Sequence, residues 1–346
     1  MTQLNPSQAA QAVMLGQLVN VAYAMFDNYP DDPLPPPPTQ LPGNYGFVAW
    51  VQMRDFVFNY GNWTCYGLLA QSPSNANDYV LAIRGTSDWT EWWDDLVSMG
   101  LTPMPDFGEV GYGFYSIYQT LRIVYAVIPV TPPGGSAAAR PAAESMELAG
   151  TFADQVAAAA QRRAGESQPP GAAAAAKMSV TVTGHSLGSA LATLYVAQNS
   201  RTKKVETPLL CTLASPRVGD YDFKTIFNGL GIQSWRIVNE PDLIPNTPYI
   251  GFWHIATEYE YDSGWSTIPW PECWHSIYTY LHLLDPSQPL SSGCAWSTAK
   301  TAAAAPPIPA KVRRMLRAPA LPSAAEKEIG IAASAGATIN ITIKVG

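Results

Sequence analysis

Ser186 lies between two glycines, where a predicted strand ends and a predicted helix begins. The sequence Gly-His-Ser-Leu-Gly at 184–188 follows the β-branched run 179–183 and opens a helical pattern at 187–199. A nucleophilic serine must project from such a sharp turn, and glycines two residues before and after it avoid a steric clash. The backbone N–H of Leu187, at the helix start, can stabilise a developing oxyanion. This context favours a serine that performs acyl transfer over a solvated serine in a tight glycine turn.

Asp242 is the candidate acid of a catalytic triad. It comes just past a strand-like run, in the Pro-bounded turn of Ser-Trp-Arg-Ile-Val-Asn-Glu-Pro-Asp-Leu-Ile-Pro at 234–245. A carboxylate placed there can reach across the carboxyl edge of a sheet, where triad residues gather. Glu240 and Asp220 are competing carboxylates, and a loop or helix-cap charge is the simpler interpretation of each.

His275 is the candidate general base. It precedes the apolar stripe of a short helix, in a loop after the last strands, which suits the geometry of a triad. His254 is the alternative, although the pattern around it predicts an ordinary strand residue. His282 falls opposite the apolar stripe and is expected to face solvent. His185 is adjacent to the nucleophile and is expected to point elsewhere.

Strand-like and helix-like segments alternate from about residue 56 onward. This alternation predicts an α/β fold with a mostly parallel central sheet flanked by helices. The segment 113–128 has a helical pattern, and 144–165 can also form a helix.

Six segments resemble, in order, the successive blocks of the class 3 lipases, the family of fungal triacylglycerol lipases. They are residues 82–96, 111–121, 180–192, 212–220, 235–248 and 275–284. The similarity spans roughly residues 55 to 285 and implies an α/β-hydrolase fold.

The resemblance also implies roles for individual residues. Ser186 matches the nucleophile, Asp242 the acid, and His275 the base in the block His-Ser-Ile-Tyr-Thr-Tyr-Leu. In this family the second oxyanion donor follows Arg-Gly, which is Thr86 here, acting together with Leu187. Many relatives have a further glycine after the elbow, whereas this chain has Ser189.

A short amphipathic helix is predicted directly after Thr86. On a helical wheel one face is apolar, formed by Trp89, Trp92, Trp93 and Leu96, and the opposite face is acidic. By the family resemblance this segment is a lid that covers the serine in water and turns toward lipid when open. A short helix packed permanently on its own domain is the alternative.

The composition divides the chain into three predicted regions. Residues 1–50 form an N-terminal helix and a Pro-rich connector, residues 51–298 the hydrolase domain, and residues 299–346 an Ala/Pro-rich tail ending in a strand-like alternation. The N-terminal apolar residues recur at helical spacing without a preceding Lys or Arg, which predicts a packed helix instead of a signal peptide. No apolar run is long enough to predict a transmembrane segment.

Charge and cysteine content exclude several classes of function. With 20 Lys and Arg against 27 Asp and Glu, the net charge is −7 and no basic run is available for nucleic acid. No His or Cys spacing predicts a metal site, and the chemistry requires no cofactor. Cys211 is expected to be a buried thiol, while Cys273 and Cys294 flank one helical segment and could form a disulfide in an oxidising compartment.

These patterns favour a serine carboxylic-ester hydrolase, foremost a triacylglycerol lipase with a lipid ester substrate and transient contact with a lipid interface. Phospholipase A1 and short-chain or feruloyl-type esterases are alternatives on the same fold. Acyl transfer to an alcohol would use the same residues. A catalytically silent lipid-binding protein is disfavoured, because it would have no chemical need for Ser186, Asp242 and His275 together.

Overall fold

The computed structural model describes most of the chain. It covers residues 2–55, 61–86, 100–127, 144–167, 177–264, 266–295, 327–332 and 338–343. The strands are β1 (Gly46–Asp55), β2 (Asn62–Gln71), β3 (Asp78–Ile83), β4 (Leu101–Met104), β5 (Gly108–Gly111), β6 (Arg122–Val127), β7 (Glu144–Glu147), β8 (Ser179–His185), β9 (Leu210–Leu213), β10 (Ser234–Asn239), β11 (Thr257–Tyr261), β12 (Lys327–Ala332) and β13 (Thr338–Ile343). The α-helices are α1 (Pro6–Asn28), α2 (Tyr112–Tyr118), α3 (Phe152–Ser167), α4 (Leu187–Thr202), α5 (Tyr221–Gly229), α6 (Pro271–Trp274) and α7 (Ile277–Leu284).

Nine strands form one mixed sheet in the order β11-β10-β9-β8-β3-β2-β1-β6-β7. The run from β11 to β3 is parallel, and the run from β3 to β7 is antiparallel. The α/β class predicted from the alternation is confirmed. Because the carboxyl ends of parallel strands meet at one edge, the loops after β3, β8 and β10 come together there. These loops carry the candidate oxyanion donor, nucleophile and acid.

Helices cover both faces of the sheet. On one face α4 lies against β8, with α2 and α3 beside it, and on the other face α1 and α7 pack together. Buried apolar and small residues lie on all sides of α4 itself, which is typical of a helix enclosed by its neighbours. The helix that follows the nucleophile is therefore rigidly held.

The helical prediction for 113–128 is wrong in its second half. The helix α2 ends at Tyr118, and β6 begins at Arg122. The sequence Arg-Ile-Val-Tyr-Ala-Val is rich in β-branched and aromatic residues, and it pairs antiparallel with residues 49–52 of β1. The helix predicted for 144–165 likewise begins only at Phe152, after the short strand β7. Strand pairing within the sheet overrides the helical periodicity in both segments.

The N-terminal helix α1 belongs to the folded core. Asn5 caps it, since the Asn5 side chain accepts from the Gln8 N–H and the Gln8 side chain accepts from the Asn5 N–H. Within the described residues α1 is the one helix long and apolar enough to cross a membrane. Its buried residues pack on the sheet and on α7, and a Cβ at Gly16 would lie 2.8 Å from Leu281 Cδ2. Such packing is that of a core helix.

The chain separates into two compact units, residues 1–300 and 301–346. In the second unit β12 and β13 form an antiparallel two-stranded sheet, with Lys327 opposite Ile343 and Ala332 opposite Thr338. The strand-like alternation near the C-terminus thus corresponds to β13.

Candidate active site

Ser186 occupies a strained turn between β8 and α4. Its φ of 57° and ψ of −127° are unusual for a residue with a side chain. A Cβ on Gly184 would clash with the Gly188 main chain, and a Cβ on Gly188 would clash with the carbonyl oxygens of Ile83 and Arg84. Glycine is therefore required on both sides of the serine, for the reason inferred from the sequence.

Ser189, the second residue after Leu187, is fully buried at this turn. Its hydroxyl lies 2.7 Å from the Gly184 carbonyl oxygen and 2.9 Å from the Leu213 carbonyl oxygen. The hydroxyl therefore shares its single proton between carbonyl oxygens at the ends of β8 and β9, and a serine is accommodated within the elbow.

Ser186, His275 and Asp242 lie within hydrogen-bond distance of one another in series. His275 Nε2 is 2.7 Å from Ser186 Oγ, and His275 Nδ1 is 2.8 Å from Asp242 Oδ2. Since a carboxylate can only accept, Nδ1 carries the proton and Nε2 accepts from the serine hydroxyl. All three residues are at least 95% buried. This arrangement can activate the serine by general-base catalysis.

Asp242 receives two further hydrogen bonds that the sequence did not reveal. Its Oδ1 accepts from the Ile244 N–H at 3.0 Å, and its Oδ2 accepts from the Tyr280 hydroxyl at 2.7 Å. The Tyr280 oxygen accepts from the Asn239 N–H at 3.1 Å. Burial, followed by the charge of Asp242, raises the pKa of Tyr280 well above its usual value, so the hydroxyl remains a donor. The sequence signal was ambiguous, because Tyr280 also fits the apolar stripe of α7.

Two contacts restrain the main chain just before His275. The Asn239 side chain donates to the Trp274 carbonyl oxygen at 2.9 Å, next to His275 in sequence. Cys273 and Cys294 form a disulfide, with their Cα atoms 5.3 Å apart. The pairing that the sequence left open is thus present in the structure. Both constraints restrict the main chain on the N-terminal side of the imidazole.

Two backbone N–H groups are the candidate oxyanion donors, those of Leu187 and Thr86. That of Leu187 belongs to the first turn of α4, where N–H groups have no partner inside the helix. Thr86 follows the end of β3, and its buried hydroxyl oxygen has no hydrogen-bond partner among the described residues. The Arg84 guanidinium donates to the carbonyl oxygens of Cys65 and Gly85 at 3.0 and 2.7 Å, which holds the loop before Thr86. The oxyanion roles of Leu187 and Thr86 stay predictions.

The competing histidines have other partners. His254 precedes β11 instead of lying within a strand, so the strand pattern predicted around it is wrong at this position. Burial, together with the nearby charges of Arg236 and Arg217, lowers the pKa of His254 to about 2. His282 is partly buried, and its Nδ1 lies 2.8 Å from the Gln288 carbonyl oxygen. A base must exchange protons near neutral pH, and His254 is unsuited to that.

The competing carboxylates of Asp220 and Glu240 lie at a helix N-cap and at an exposed position, respectively. Asp220 is the N-cap of α5 and accepts from the Phe223 N–H at 2.7 Å. Glu240 is exposed. Neither observation supports an alternative to Asp242.

The predicted lid residues Trp89, Trp92, Trp93 and Leu96 lie outside the described residues, so the lid stays a prediction. Within the described ranges there is no cluster of three or more His, Cys, Asp or Glu side chains that could hold a metal ion.

Comparison with known sequences identifies related proteins. The profile of the family described as Lipase (class 3) matches residues 80–252. A phospholipase A1-II 3 from Oryza sativa subsp. indica is 31% identical over 260 aligned positions, and the match covers 68% of this chain and 56% of that protein. A phospholipase A1-IIgamma from Arabidopsis thaliana is 29% identical over 238 aligned positions, and the match covers 63% of this chain and 50% of that protein. The chain thus spans about half the length of the curated relatives it matches.

Comparison with solved structures supports the same fold. A Rhizomucor miehei lipase in complex with its propeptide has a TM-score of 0.51 and 20% identity, covering 75% of this chain and 70% of that chain. A lipase from Rhizopus microsporus var. chinensis has a TM-score of 0.51 and 18% identity, covering 75% and 76%. At such identities the likeness concerns the fold alone.

Proposed function

Because the chain belongs to the class 3 lipase family, we propose that it is a serine carboxylic-ester hydrolase with Ser186 as nucleophile, His275 as general base and Asp242 as acid. The observation that carries this proposal is the continuous hydrogen-bonded series from Ser186 Oγ through both imidazole nitrogens to Asp242. The strained turn at Ser186 supports the same role, since it projects the hydroxyl from the carboxyl edge of the sheet toward His275.

The reaction proceeds through an acyl-enzyme. His275 Nε2 takes the Ser186 proton while the serine oxygen attacks the ester carbonyl carbon, and the resulting imidazolium is stabilised by Asp242. The N–H groups of Leu187 and Thr86 stabilise the oxyanion. His275 then protonates the leaving alcohol as the ester bond breaks. A water molecule, deprotonated by His275, attacks the acyl-enzyme and releases the acid, and the proton returns to Ser186.

The proposed substrates are fatty-acyl esters, with acylglycerols as the first candidate, in line with the lipase family profile. Glycerophospholipids are a second candidate. The specific observation in their favour is the 31% identity to a plant protein named phospholipase A1-II 3. Both classes present an ester carbonyl that the same machinery would attack, so the triad does not distinguish them.

Active-site labelling tests the chemistry directly. We expect a fluorophosphonate probe to label the wild-type chain and the Ser200→Ala variant, but not Ser186→Ala. Ser200 is a matched control, because its hydroxyl bonds to the Ala197 carbonyl on the same helix. His275→Ala is expected to lose labelling and His254→Ala to retain it, provided both remain folded by circular dichroism. Labelling of Ser186→Ala, or full activity of His275→Ala, would overturn the proposal.

Substrate comparison separates the two candidate classes. The purified chain is given trioleoylglycerol emulsions and phosphatidylcholine vesicles with distinguishable sn-1 and sn-2 acyl chains, with Ser186→Ala as the blank. Faster release from trioleoylglycerol supports an acylglycerol lipase. Release of the sn-1 chain from phosphatidylcholine at a comparable or higher rate supports phospholipase A1 activity. Turnover confined to short nitrophenyl esters would contradict both.

A further inference from the structure

Tyr23 on the N-terminal helix reaches the loop that precedes Thr86. The Gly85 N–H donates to the Tyr23 hydroxyl oxygen at 2.9 Å. A Cβ on Gly85 would lie 2.6 Å from that oxygen and 2.8 Å from Ser186 Cβ. Because Gly85 has no side chain, the Tyr23 hydroxyl and Ser186 can both pack closely against the main chain at Gly85.

His185 continues this contact toward the general base. The Tyr23 hydroxyl is 2.8 Å from His185 Nδ1, and His185 Nε2 is 2.8 Å from the main-chain oxygen of His275. The two imidazole rings of His185 and His275 lie 4.8 Å apart between centroids. Tyr23 and His185 thus connect the loop of one candidate oxyanion donor with the main chain of the base.

The direction of each hydrogen bond follows from the chemistry of the partners. A carbonyl oxygen only accepts, so His185 Nε2 must carry a proton to donate to His275. Burial, and the nearby His275, lower the pKa of His185 well below its usual value, so the ring is neutral and Nδ1 is an acceptor. Burial raises the pKa of Tyr23, so its hydroxyl stays protonated and donates to Nδ1. The series from the Gly85 N–H to the His275 carbonyl is complete, with one donor for every acceptor.

We propose that Tyr23 and His185 are positioning residues. They hold the loop of Gly85 and Thr86, and the His275 main chain, in a fixed relation to Ser186. This inference rests on the proposed function of the triad. Neither residue is assigned contact with the reacting atoms. They act by fixing the positions of the Thr86 N–H and the His275 imidazole when the tetrahedral intermediate forms.

The physical reason is that these two groups come from distant segments and must be placed together. An oxyanion donor is effective within about 2.7–3.1 Å of the oxyanion, and a displacement of about 1 Å can cost about 100-fold in rate. The main chain at Gly85 is 190 residues before His275 in sequence, and the Tyr23–His185 contact joins their loops through two aromatic side chains. Removing the contact would leave the triad residues present but their mutual placement less restricted.

The Tyr23→Phe variant tests the inference, because it removes one hydroxyl and keeps the ring. We expect kcat on a soluble nitrophenyl ester to fall about 10- to 100-fold with KM within twofold of wild type. The affinity for a trifluoromethyl ketone, which forms a tetrahedral adduct with the serine, should fall by the same factor as kcat/KM. A purely structural role of Tyr23 would not move these two quantities together.

Tyr195→Phe is the matched control. Tyr195 is fully buried, and its hydroxyl has no hydrogen-bond partner among the described residues. Its substitution also removes one buried tyrosine hydroxyl, but outside the proposed series. We expect kcat and adduct affinity to stay within twofold of wild type.

His185→Asn and the double variant test whether the two residues act as one unit. Asn can accept from Tyr23 but is too short to keep the bond to the His275 carbonyl. If the series acts as one unit, the double variant should lose no more than about the larger of the two single losses. His185→Asn also keeps the test open if Tyr23→Phe does not fold, as judged by circular dichroism and urea unfolding.

Wild-type kinetics separate failure of this inference from failure of the proposed function. An inactive wild-type chain would refute the hydrolase proposal itself. An active wild type with unchanged kcat in folded Tyr23→Phe or His185→Asn would refute the positioning role alone. Multiplicative losses in the double variant, or a rise in KM that accounts for the loss, would also refute it.

Discussion

Asp242 presents one carboxylate oxygen to two donors at once. Oδ2 accepts from His275 Nδ1 at 2.8 Å and from the Tyr280 hydroxyl at 2.7 Å. Hydrogen bonds to a charged group are stronger than neutral ones, and they also fix the orientation of the carboxylate plane. Tyr280 therefore sets the direction from which Asp242 meets the imidazole.

Tyr280→Phe is expected to reduce both activity and stability. The variant deprives Asp242 Oδ2 of a donor and leaves the buried Asn239 N–H without its acceptor. We expect kcat to fall several-fold and the free energy of unfolding to fall by about 1–3 kcal/mol. Steady-state kinetics and urea unfolding measure the two effects.

Tyr278→Phe, two residues earlier on α7, is the control for this prediction. Tyr278 is 37% exposed, so loss of its hydroxyl should leave both quantities near wild type. Equal behaviour of the two variants would mean that the Tyr280 hydroxyl does not contribute to the alignment of Asp242.

Residues of the site differ in how far the sequence could predict them. Ser186 is marked by a local pattern of glycines, whose steric origin is visible as soon as the turn is known. Tyr23 carries no such mark, because its partner Gly85 lies in another element and the contact depends on how α1 packs. Tyr280 could not be identified from the sequence, because a tyrosine on the apolar face of a helix is most simply interpreted as a core residue.

At the scale of elements, residue patterns correctly predicted the strand and the helix on either side of the nucleophile. The strand β8 and the helix α4 fold as their patterns indicate, because both are enclosed by the core. Residues 122–127 did not follow their helical periodicity, because pairing with β1 stabilises them as the strand β6. A single sequence contains no direct signal for such a partner.

The short helix α6 and the loop after it depend on a covalent constraint. The Cys273–Cys294 disulfide closes a segment with a sequence separation of 21 residues, and His275 lies two residues after Cys273. The Cys273 carbonyl also accepts from the Thr279 hydroxyl at 2.6 Å, which connects α6 to α7. The segment that carries the base is therefore restrained at its N-terminal side.

Replacing both cysteines by alanine is expected to lower the free energy of unfolding by about 3 kcal/mol, mainly because the unfolded chain gains conformational freedom. The loop that carries His275 should also loosen, so that activity is lost at lower urea concentration than the core secondary structure. Urea titrations followed in parallel by esterase activity and circular dichroism measure both effects.

Reduction of the wild-type chain provides the control. A reductant should shift wild type toward the double variant and leave the double variant unchanged, because the remaining Cys65 and Cys211 are free thiols. A shift of the double variant under reductant would show that the effect has another origin. Coincident transitions in activity and circular dichroism would contradict the local loosening.

At the scale of the whole molecule, two neutral histidines, the buried His185 and the partly buried His254, make the stability depend on pH. His185 and His254 both have a pKa lowered chiefly by burial. In the unfolded chain a histidine titrates with a pKa of about 6.5. Between that value and the lowered folded value, the unfolded state binds more protons, so stability falls as the solution is acidified.

His254→Asn is expected to weaken this pH dependence. The folded pKa of His254 is about 2, so from about pH 6.5 downward the wild-type chain should lose stability that the variant does not lose, by at most about 1.4 kcal/mol per pH unit. The packing change in the variant shifts stability equally at every pH, whereas the loss of titration changes the slope. Urea unfolding between pH 4.5 and 8 therefore separates the two effects. Parallel curves for wild type and variant over this range would contradict a neutral, partly buried His254. The variant should keep the part of the slope that comes from His185, so its residual pH dependence is itself part of the expected result.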